Sequence, residues 1–411
     1  MKHLLRSSLF LFCAALLCAC AAPSKRAANN FQAAKGGLDS SALERAPEPP
    51  PQDPQTKASP SDVTVRVLLA EKQKSALIKH TGRVYVYTLN LDKKYKVSPP
   101  GTLSVKALGA GKIQVGTLQA AQTIVLEPAT GTLLEWNKNA YSGKIYIIPA
   151  GNTFHLVEHA PLETYLYGVL PYEMSHSWPI EALKAQAVAA RTYTLKTLEG
   201  VKNKNFDVFS DVRSQMYKGG GKQYDSVKKA VDETRGEVLS YQDKLFFTYY
   251  HANCGGGTDD VRSWNPGAQS IKPLSGASCK YDSHSKSHSW QMNISHAKVE
   301  TYAKSVGLSG NLKSIKIARK TDTGRATNLT LKTSKGTKTV PCGKFRLATG
   351  IRSCKITKLS VRRNDVHFEG KGYGHGVGMC QDGANGMAKS GKNYKKILKN
   401  YYPGAELKKL P

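Results

Sequence analysis

The sequence predicts a mixed α/β protein of the α+β kind, in which a β-rich region is followed by a region of mixed helices and strands. Short runs of alternating apolar and polar residues dominate as far as Val157, and a clearly helical stretch begins only at Ile180. The elements after it do not alternate regularly, so a doubly wound parallel sheet is not expected. With 411 residues, 40% of them hydrophobic and 22% charged, the chain has room for two or more domains.

The first 20 residues have the layout of a secretory signal peptide. Lys2 and Arg6 precede an apolar run from Leu9 to Leu17, which is too short for a confident membrane span, and no comparable run follows. The sequence Leu-Cys-Ala-Cys that ends at Cys20 resembles a bacterial lipobox, so we expect an exported lipoprotein anchored to a membrane through Cys20. A conventional signal peptide, cleaved among the neighbouring alanines, is the alternative.

Three further regions follow. Residues 21–61 are rich in Ala, Pro, Ser and Gln with few bulky apolar side chains, which predicts a disordered tether. Residues 62–157 contain the alternating runs VTVRVLL, RVYVYTL, KIQVGTL and KIYIIP, bounded by Gly, Asn and Pro, which are typical of strands. Residues 158–411 contain the candidate functional residues.

The helical stretch from Ile180 is predicted from local signals. Pro179 suits a first turn, and Glu181 lies where an acid favours the positive end of the helix dipole. Ala187 and Arg191 are four residues apart and share a face on which small side chains permit close packing. Arg191 is therefore expected to point inward, where its guanidinium needs an acceptor.

Glu173 precedes this helix and is placed in the connection before it. It is either a solvated or ion-paired carboxylate, or a general acid in a sugar-binding groove flanked by Tyr167, Tyr172 and Trp178. A general acid must begin protonated, and a close cation lowers the pKa of a glutamate. We therefore expect Arg191 to hold substrate or another carboxylate, such as Asp211 or Glu181, rather than to pair tightly with Glu173.

Three motifs resemble the SpoIID/LytB family of sporulation stage II D proteins and amidase enhancers. They are LETYLYGVLPYEM with WPIEALKAQAVAARTYTL, then SQMYKG, and then KGYGHGVGMCQDGANG. The resemblance implies that Glu173 is the catalytic acid of a peptidoglycan lytic transglycosylase and that Arg191 supports it. It also leads us to place substrate-binding residues at Tyr172, Gln215, His375 and Gln381.

The last motif departs from the family pattern. Relatives usually carry Ser where Cys380 stands and Tyr near Asp382, which raises the question of thiol reactivity. A nucleophilic pair of Cys380 and His375 is conceivable, but no third group that would orient it is evident. Gln381 is expected to begin a helix.

His251, Cys254, Cys279 and His288 form a candidate zinc site, with His284 as a substitute ligand. Imidazole nitrogen and thiolate sulfur suit tetrahedral zinc, and four protein ligands would make the site structural. Some relatives with a cysteine in the CGG turn also resemble zinc binders. A disulfide between the two cysteines is the alternative in an exported protein.

Cys342 and Cys354 flank a short segment, and a local disulfide between them is the simplest interpretation, with two free thiols as the alternative. The glycine-rich turns lack the residues of a phosphate loop, so no organic cofactor is expected.

The formal net charge of +30 indicates an anionic partner. No zinc finger or aromatic RNA-binding motif is present, so nucleic acid is not expected, whereas peptidoglycan from which the stem peptides have been removed exposes lactyl carboxylates. A non-catalytic, wall-binding enhancer of a partner amidase is the main alternative to the transglycosylase. A zinc amidase or peptidase is a further one, but it would need an open coordination position.

Overall fold

A computed structural model describes residues 63–90, 94–201, 205–221 and 223–410, and every structural statement below concerns these ranges. The predicted signal peptide, Cys20 and the whole of the predicted tether lie outside them. The mixed α/β class is confirmed, with β-rich sheets first and mixed helices and strands afterwards. None of the helices in these ranges combines the length and the apolarity that a membrane span requires.

The β-rich part forms two sheets around one hydrophobic core. The alternation is regular in places: in the second strand Ala76, Ile78 and His80 are buried and the residues between them are exposed. The twelve strands are β1 (Thr64–Gln73), β2 (Ser75–His80), β3 (Val84–Thr88), β4 (Lys94–Val97), β5 (Gly101–Gly109), β6 (Lys112–Val115), β7 (Leu118–Ala120), β8 (Ile124–Pro128), β9 (Leu134–Trp136), β10 (Asn139–Tyr141), β11 (Lys144–Ala150) and β12 (Thr153–Pro161).

One sheet has the order β1-β12-β11-β8-β3-β4, extended at its β1 edge by β13 (Val208–Phe209), and the other has the order β10-β9-β2-β5-β6-β7. In the first sheet β1 lies between β12, which is antiparallel to it, and β13, which is parallel. Val67 of β1 accordingly pairs with Glu158 on one side and Val208 on the other. The chain thus returns to the first sheet at β13, far along the sequence from β12.

Two helices follow β12 directly: α1 (Leu162–Glu173) and α2 (Ile180–Gly200). The predicted helix at Ile180 is confirmed. The prediction that Glu173 lies in a connection is wrong, because Glu173 is the last residue of α1. The first nine residues of α1 are almost all buried, so the segment has no amphipathic period, and Gly168 and Pro171 lower its helix propensity.

Helix α2 packs against elements on several sides, which explains why small alanines dominate its sequence. Its neighbours in the second hydrophobic core are α3 (Asp225–Glu233), α6 (Gln381–Lys389), α7 (Tyr394–Tyr401) and β14 (Glu237–Tyr241). The predicted helix start at Gln381 is confirmed. Strand β14 pairs with β15 (Lys244–Leu245) and with β24 (Glu406–Lys409), and β16 (Tyr250–His251) pairs in parallel with β23 (Met379–Cys380).

The residues of a third hydrophobic core lie, in the sequence, between the two segments that form the second core. It contains two three-stranded sheets and two helices, and the disulfide predicted between Cys342 and Cys354 is confirmed there. Its elements are β17 (Ser289–Ser295), α4 (His296–Ser305), β18 (Leu312–Lys320), β19 (Ala326–Thr333), β20 (Gly336–Pro341), α5 (Cys342–Thr349), β21 (Ile356–Val361) and β22 (Asp365–Lys371).

Candidate functional site

Glu173 is positioned by the end of α1 and by the loop that packs on this helix. The Lys218 N–H donates to the carbonyl oxygen of Gly168 over 3.3 Å, and a Cβ on Gly168 would lie 2.5 Å from the ring of Tyr217. This close approach brings the Met216 N–H to Glu173, where it donates to Oε1 over 2.8 Å. The carboxylate is therefore held by backbone geometry.

The Glu173 carboxyl is half-buried and forms no ion pair with any residue that the structure describes. Burial raises the pKa of Glu173 above its usual range, although hydrogen bonds from the Met216 N–H and the Gln381 side chain oppose this effect. Its place at the C-terminal end of α1 also disfavours a negative charge, because that end of a helix carries partial negative charge. The surroundings therefore favour the protonated acid.

Glu173 opens into a cleft of about 590 Å³ that is lined by residues of α1, α2, β16, α5, α6 and the loops near them. Three apolar side chains in the lining stand well out into solvent: Val212 is 85% exposed, Leu347 71% and Tyr373 47%. Exposed apolar faces beside an acid suit the faces of sugar rings. The other side chains that give the cleft its chemistry are Tyr193, Arg213, Met216, Tyr249, Trp264, Arg346, His375 and Gln381.

His375 lines the cleft and is fully engaged by its own neighbours. Its Nε2 lies 2.9 Å from the carbonyl oxygen of Tyr250, and its Nδ1 lies 3.1 Å from the Val377 N–H. These partners require Nε2–H to donate and Nδ1 to accept, which is the neutral tautomer. Burial, together with the charge of Arg346, lowers the pKa of His375 to about 3. The ring also stacks on Trp264 with centroids 4.7 Å apart, so His375 fixes the cleft wall and leaves no nitrogen for Cys380.

Arg191 does not reach the cleft, contrary to expectation. Its side chain is fully buried, and its guanidinium donates to both carboxylate oxygens of Glu163, with Nε to Oε1 at 2.9 Å and Nη2 to Oε2 at 2.7 Å. Further bonds run to the carbonyl oxygens of Val231 and Glu237. The expectation that Arg191 holds a carboxylate other than Glu173 agrees with this geometry, but its partner is Glu163, which the sequence did not single out.

The other predicted substrate contacts differ in position. Gln381 lines the cleft and bonds to Glu173. Gln215 is buried beneath it, where its side chain bonds to the hydroxyl groups of Tyr165 and Tyr250. Tyr172 does not line the cleft, and the Lys218 ammonium lies 5.0 Å from its ring centroid. Only Gln381 and His375 of these four are therefore placed to touch a ligand directly.

A second cluster lies behind the cleft and unites four buried side chains: Cys254, Cys279, Asp282 and Cys380. Their candidate ligand atoms all lie within 4.8 Å of one another, and the three cysteines are free. Sulfur and carboxylate donors at this separation suit tetrahedral zinc, so the residues fit the metal. The disulfide considered between Cys254 and Cys279 does not form.

Backbone N–H groups around the cysteine cluster donate hydrogen bonds to its candidate ligand atoms. The Gly256 N–H donates to Asp282 over 3.0 Å, and the Cys254 and Gly383 N–H groups donate to the Cys380 sulfur over 3.2 and 3.3 Å. The Cys254 thiol donates to Asp282 Oδ2 over 3.1 Å, and the neighbouring Cys254 and Cys380 side chains lower the pKa of Cys279.

Two predicted zinc ligands lie outside the cluster. His251 Nδ1 faces the carbonyl oxygen of Val377 at 3.1 Å, whereas its Nε2 is buried without a partner in the described part of the chain. His288 Nδ1 lies 3.4 Å from Asp282 Oδ1 but forms no hydrogen bond with any described residue, and His284 bonds to the carbonyl oxygen of Tyr281. The prediction named cysteines and histidines but omitted Asp282, three residues after Cys279, and that short spacing was the available signal.

Comparison with known proteins matches residues 150–241 to the model of the Stage II sporulation protein family. An uncharacterized protein of Brachyspira hyodysenteriae is 37% identical over 306 residues, which are 73% of this chain and 80% of that protein. Stage II sporulation protein D of Bacillus amyloliquefaciens is 30% identical over 278 residues, or 62% of this chain and 76% of the relative. The chain belongs to the SpoIID family.

The amidase enhancer of Bacillus subtilis is 31% identical over 294 residues, which cover 59% of this chain but only 40% of that protein. The segment that matches the SpoIID family model contains Glu173, Arg191 and Gln215. His375, Gln381 and the cysteine cluster lie outside that segment. In this SpoIID protein the acid and the opposite wall of its cleft therefore come from distant parts of the sequence.

Proposed function

We propose that this SpoIID-family protein is a peptidoglycan lytic transglycosylase. It cleaves the bond between N-acetylmuramic acid and N-acetylglucosamine, on strands without stem peptides, and leaves 1,6-anhydro ends. One observation carries the proposal: among the described residues that line the cleft, Glu173 is the only carboxylate. Hydrolytic glycosidases generally need two carboxylates, one as acid and one as base or nucleophile.

A transglycosylase can work with one acid because the substrate supplies the nucleophile. Glu173 protonates the glycosidic oxygen, and the bond from that oxygen to the muramic C1 breaks. The muramic C6 hydroxyl then attacks C1, and its proton passes to the Glu173 carboxylate, which restores the starting acid. The raised pKa of Glu173 and the lack of an ion pair to it among the described residues support the first step.

The supporting roles follow from position. Gln381 and the Met216 N–H orient the Glu173 carboxyl, while Trp264 and Tyr373 offer faces for sugar rings. Arg191 acts at a distance, since its pairing with Glu163 ties α2 to α1, the helix that ends in the acid. We therefore assign Arg191 a positioning role.

The test is product analysis with peptidoglycan treated or not treated with an amidase. Wild-type protein is expected to release fragments whose mass corresponds to anhydro-muramic ends, and Glu173→Ala is expected to release none. Fragments with reducing ends would overturn the transglycosylase.

A second candidate, a non-catalytic amidase enhancer, is favoured by the likeness to the protein of that name. It predicts that wild-type protein releases no fragments, binds the wall and accelerates a partner amidase. Loss of wall binding in Glu173→Ala would favour the enhancer, whereas intact binding with lost cleavage favours the enzyme.

We further propose that the cysteine cluster holds a structural zinc ion, bound by Cys254, Cys279, Cys380 and Asp282. Four buried protein ligands leave no open position for a catalytic water, which disfavours a zinc amidase or peptidase. Elemental analysis is expected to find one zinc per chain in wild type and little in Cys279→Ser. A chelator should lower the melting temperature of wild type only, and wild type without zinc after reconstitution would refute the site.

Export as a lipoprotein, with a tether at 21–61 between Cys20 and the folded regions at 62–157 and 158–411, completes the proposal. A net charge of +30 suits the acidic wall. Metabolic labelling with a fatty acid is expected to mark wild type and to miss Cys20→Ser.

A further inference from the structure

Arg346 lines the cleft but has no role in the proposed mechanism. It lies in the last turn of α5, in the third core, and its side chain lines the cleft. Its charge acts on His375, which places the guanidinium near the glycine loop opposite the acid. Arg346 therefore adds positive charge to a cleft whose single described carboxylate favours the neutral form.

Arg346 lacks a counter-ion among the described residues. No carboxylate lies within ion-pair distance of it, and its Nε is buried without a hydrogen-bond partner. Nearby arginines differ: Arg213 pairs with Asp211 at 2.8 Å, and Arg325 pairs with Asp259 at 2.8 Å. A buried donor without a hydrogen-bond partner is costly, so a ligand that supplies the acceptor is bound more tightly.

The helix presents Arg346 rigidly. Phe345 is fully buried and packs edge-on against Tyr302, with ring centroids 5.5 Å apart, while the disulfide from Cys342 to Cys354 closes the segment around α5. Leu347, the next residue, stands exposed on the rim of the cleft. The Arg346 guanidinium thus lies beside the apolar surface of Leu347. A sugar that carries an anionic substituent could use both, the cation for the substituent and the apolar surface for the ring.

We propose that Arg346 binds a carboxylate carried by the glycan strand and so selects muramic acid-containing strands over neutral ones. The inference rests on the proposed function, since it takes the substrate from there. A guanidinium remains charged even when burial lowers its pKa, and its planar fork matches a carboxylate through two hydrogen bonds. The carboxylate is either the free lactyl group of a peptide-free strand or an acid of the stem peptide.

Binding is measured in the Glu173→Gln background, so that no strand is cut. Arg346→Gln is compared with Lys344→Gln, a matched control that removes a charge from an exposed position on the same helix. The ligands are peptide-free muramic glycans, the same glycans with methyl-esterified carboxylates, strands with intact stem peptides, and chitin oligosaccharides of equal length.

Arg346→Gln is expected to weaken binding of peptide-free glycans about tenfold or more, which is typical of a lost charge-assisted bond, and to leave chitin binding unchanged. Lys344→Gln should change neither by more than about threefold, as for an exposed charge. Esterification should mimic Arg346→Gln if the lactyl group is the ligand. A loss confined to peptide-bearing strands would instead assign the stem-peptide acid.

Equal loss for muramic and chitin ligands, or no loss for any, would overturn the role of Arg346. Thermal unfolding of Arg346→Gln checks that the variant folds, and Arg346→Lys should recover part of the affinity. The proposed reaction is tested separately: selective binding by a protein that forms no anhydro ends would sink the transglycosylase and leave the carboxylate site standing.

Discussion

The two ends of α1 hold glutamates in opposite surroundings. Glu163, in the first turn, lies at the positive end of the helix dipole and forms an ion pair with the buried Arg191. Glu173, the last residue, lies at the negative end, has no ion-pair partner among the described residues, and faces the cleft. One helix thus carries an acid that forms a buried ion pair and another whose raised pKa favours the neutral form.

The difference separates structural from chemical roles. The ion pair with Arg191 makes Glu163 a link between α1 and α2, whereas burial raises the pKa of Glu173 and makes it able to give a proton. Glu163 and Glu173 both lie near α2 in the sequence. Sequence proximity alone does not show which of them pairs with the buried Arg191.

The largest effect is expected for Glu173→Gln, which removes the proton donor while keeping the shape. Loss of a general acid costs about 10²–10⁴ in rate, and kcat for anhydro-end formation measures it. The melting temperature should stay the same or rise, since a carboxyl that is costly to ionise has been replaced. A variant that keeps more than a tenth of the activity would remove Glu173 from the chemistry.

Glu163→Gln should act on stability instead. It leaves the charge of Arg191 buried and unpaired, which costs about 3–5 kcal/mol in the free energy of unfolding. Denaturant titration measures the loss, and Glu199→Gln, at an exposed ion pair with Lys196, is a control expected to change by less than about 1 kcal/mol. An equally small change in Glu163→Gln would mean that the ion pair does not stabilise the fold.

The pH dependence of cleavage tests the neutral state of Glu173. Because its pKa in the folded protein is raised above 4.5, the protonated acid persists to higher pH, and kcat/KM should fall about tenfold per pH unit only above that raised pKa. An alkaline limb with a midpoint at or below 4.5 would show that Glu173 is an ordinary carboxylate or is not the acid.

Glu158 offers the smallest effect on activity and the sharpest contrast. This acid on β12 is fully buried between the Gly143 N–H and the Tyr217 hydroxyl, and burial raises its pKa to about 7. Below 4.5 it is protonated in both folded and unfolded chains, and its contribution to stability is complete. As pH rises towards about 7, only the unfolded chain ionises, so that contribution is lost.

Glu158→Gln should remove this dependence and stabilise the protein at pH 8 by up to about 3 kcal/mol, since the pKa rises from 4.5 to about 7, with cleavage unchanged. Stability curves at several pH values measure the first effect. Lost cleavage in a stable variant would contradict the view that a raised pKa matters only in the cleft.

The sequence was informative where signals were local. Alternating runs predicted the strands, and Pro179 with Glu181 predicted α2. Helix α1 was missed because burial on all sides erased its periodicity, and the partner of Arg191 was missed because a contact between residues 28 positions apart depends on packing. The contribution of Arg346 to the cleft likewise depends on where the third core places α5.

The members of the cysteine cluster were predicted only in part. Two of the four expected ligands, Cys254 and Cys279, belong to it, while Cys380 comes from the parallel pairing of β23 with β16. No spacing rule foresees such a contact between residues 126 positions apart.

The pairing of β16 with β23 also has a bearing on when the protein can become active. The acid is in place once α1 and the Met216 loop have folded, but His375 and Gln381 follow only much later in the sequence. A chain synthesised only as far as the Met216 loop therefore holds Glu173 without these two residues of its cleft, so the proposed cleavage also requires the later segment.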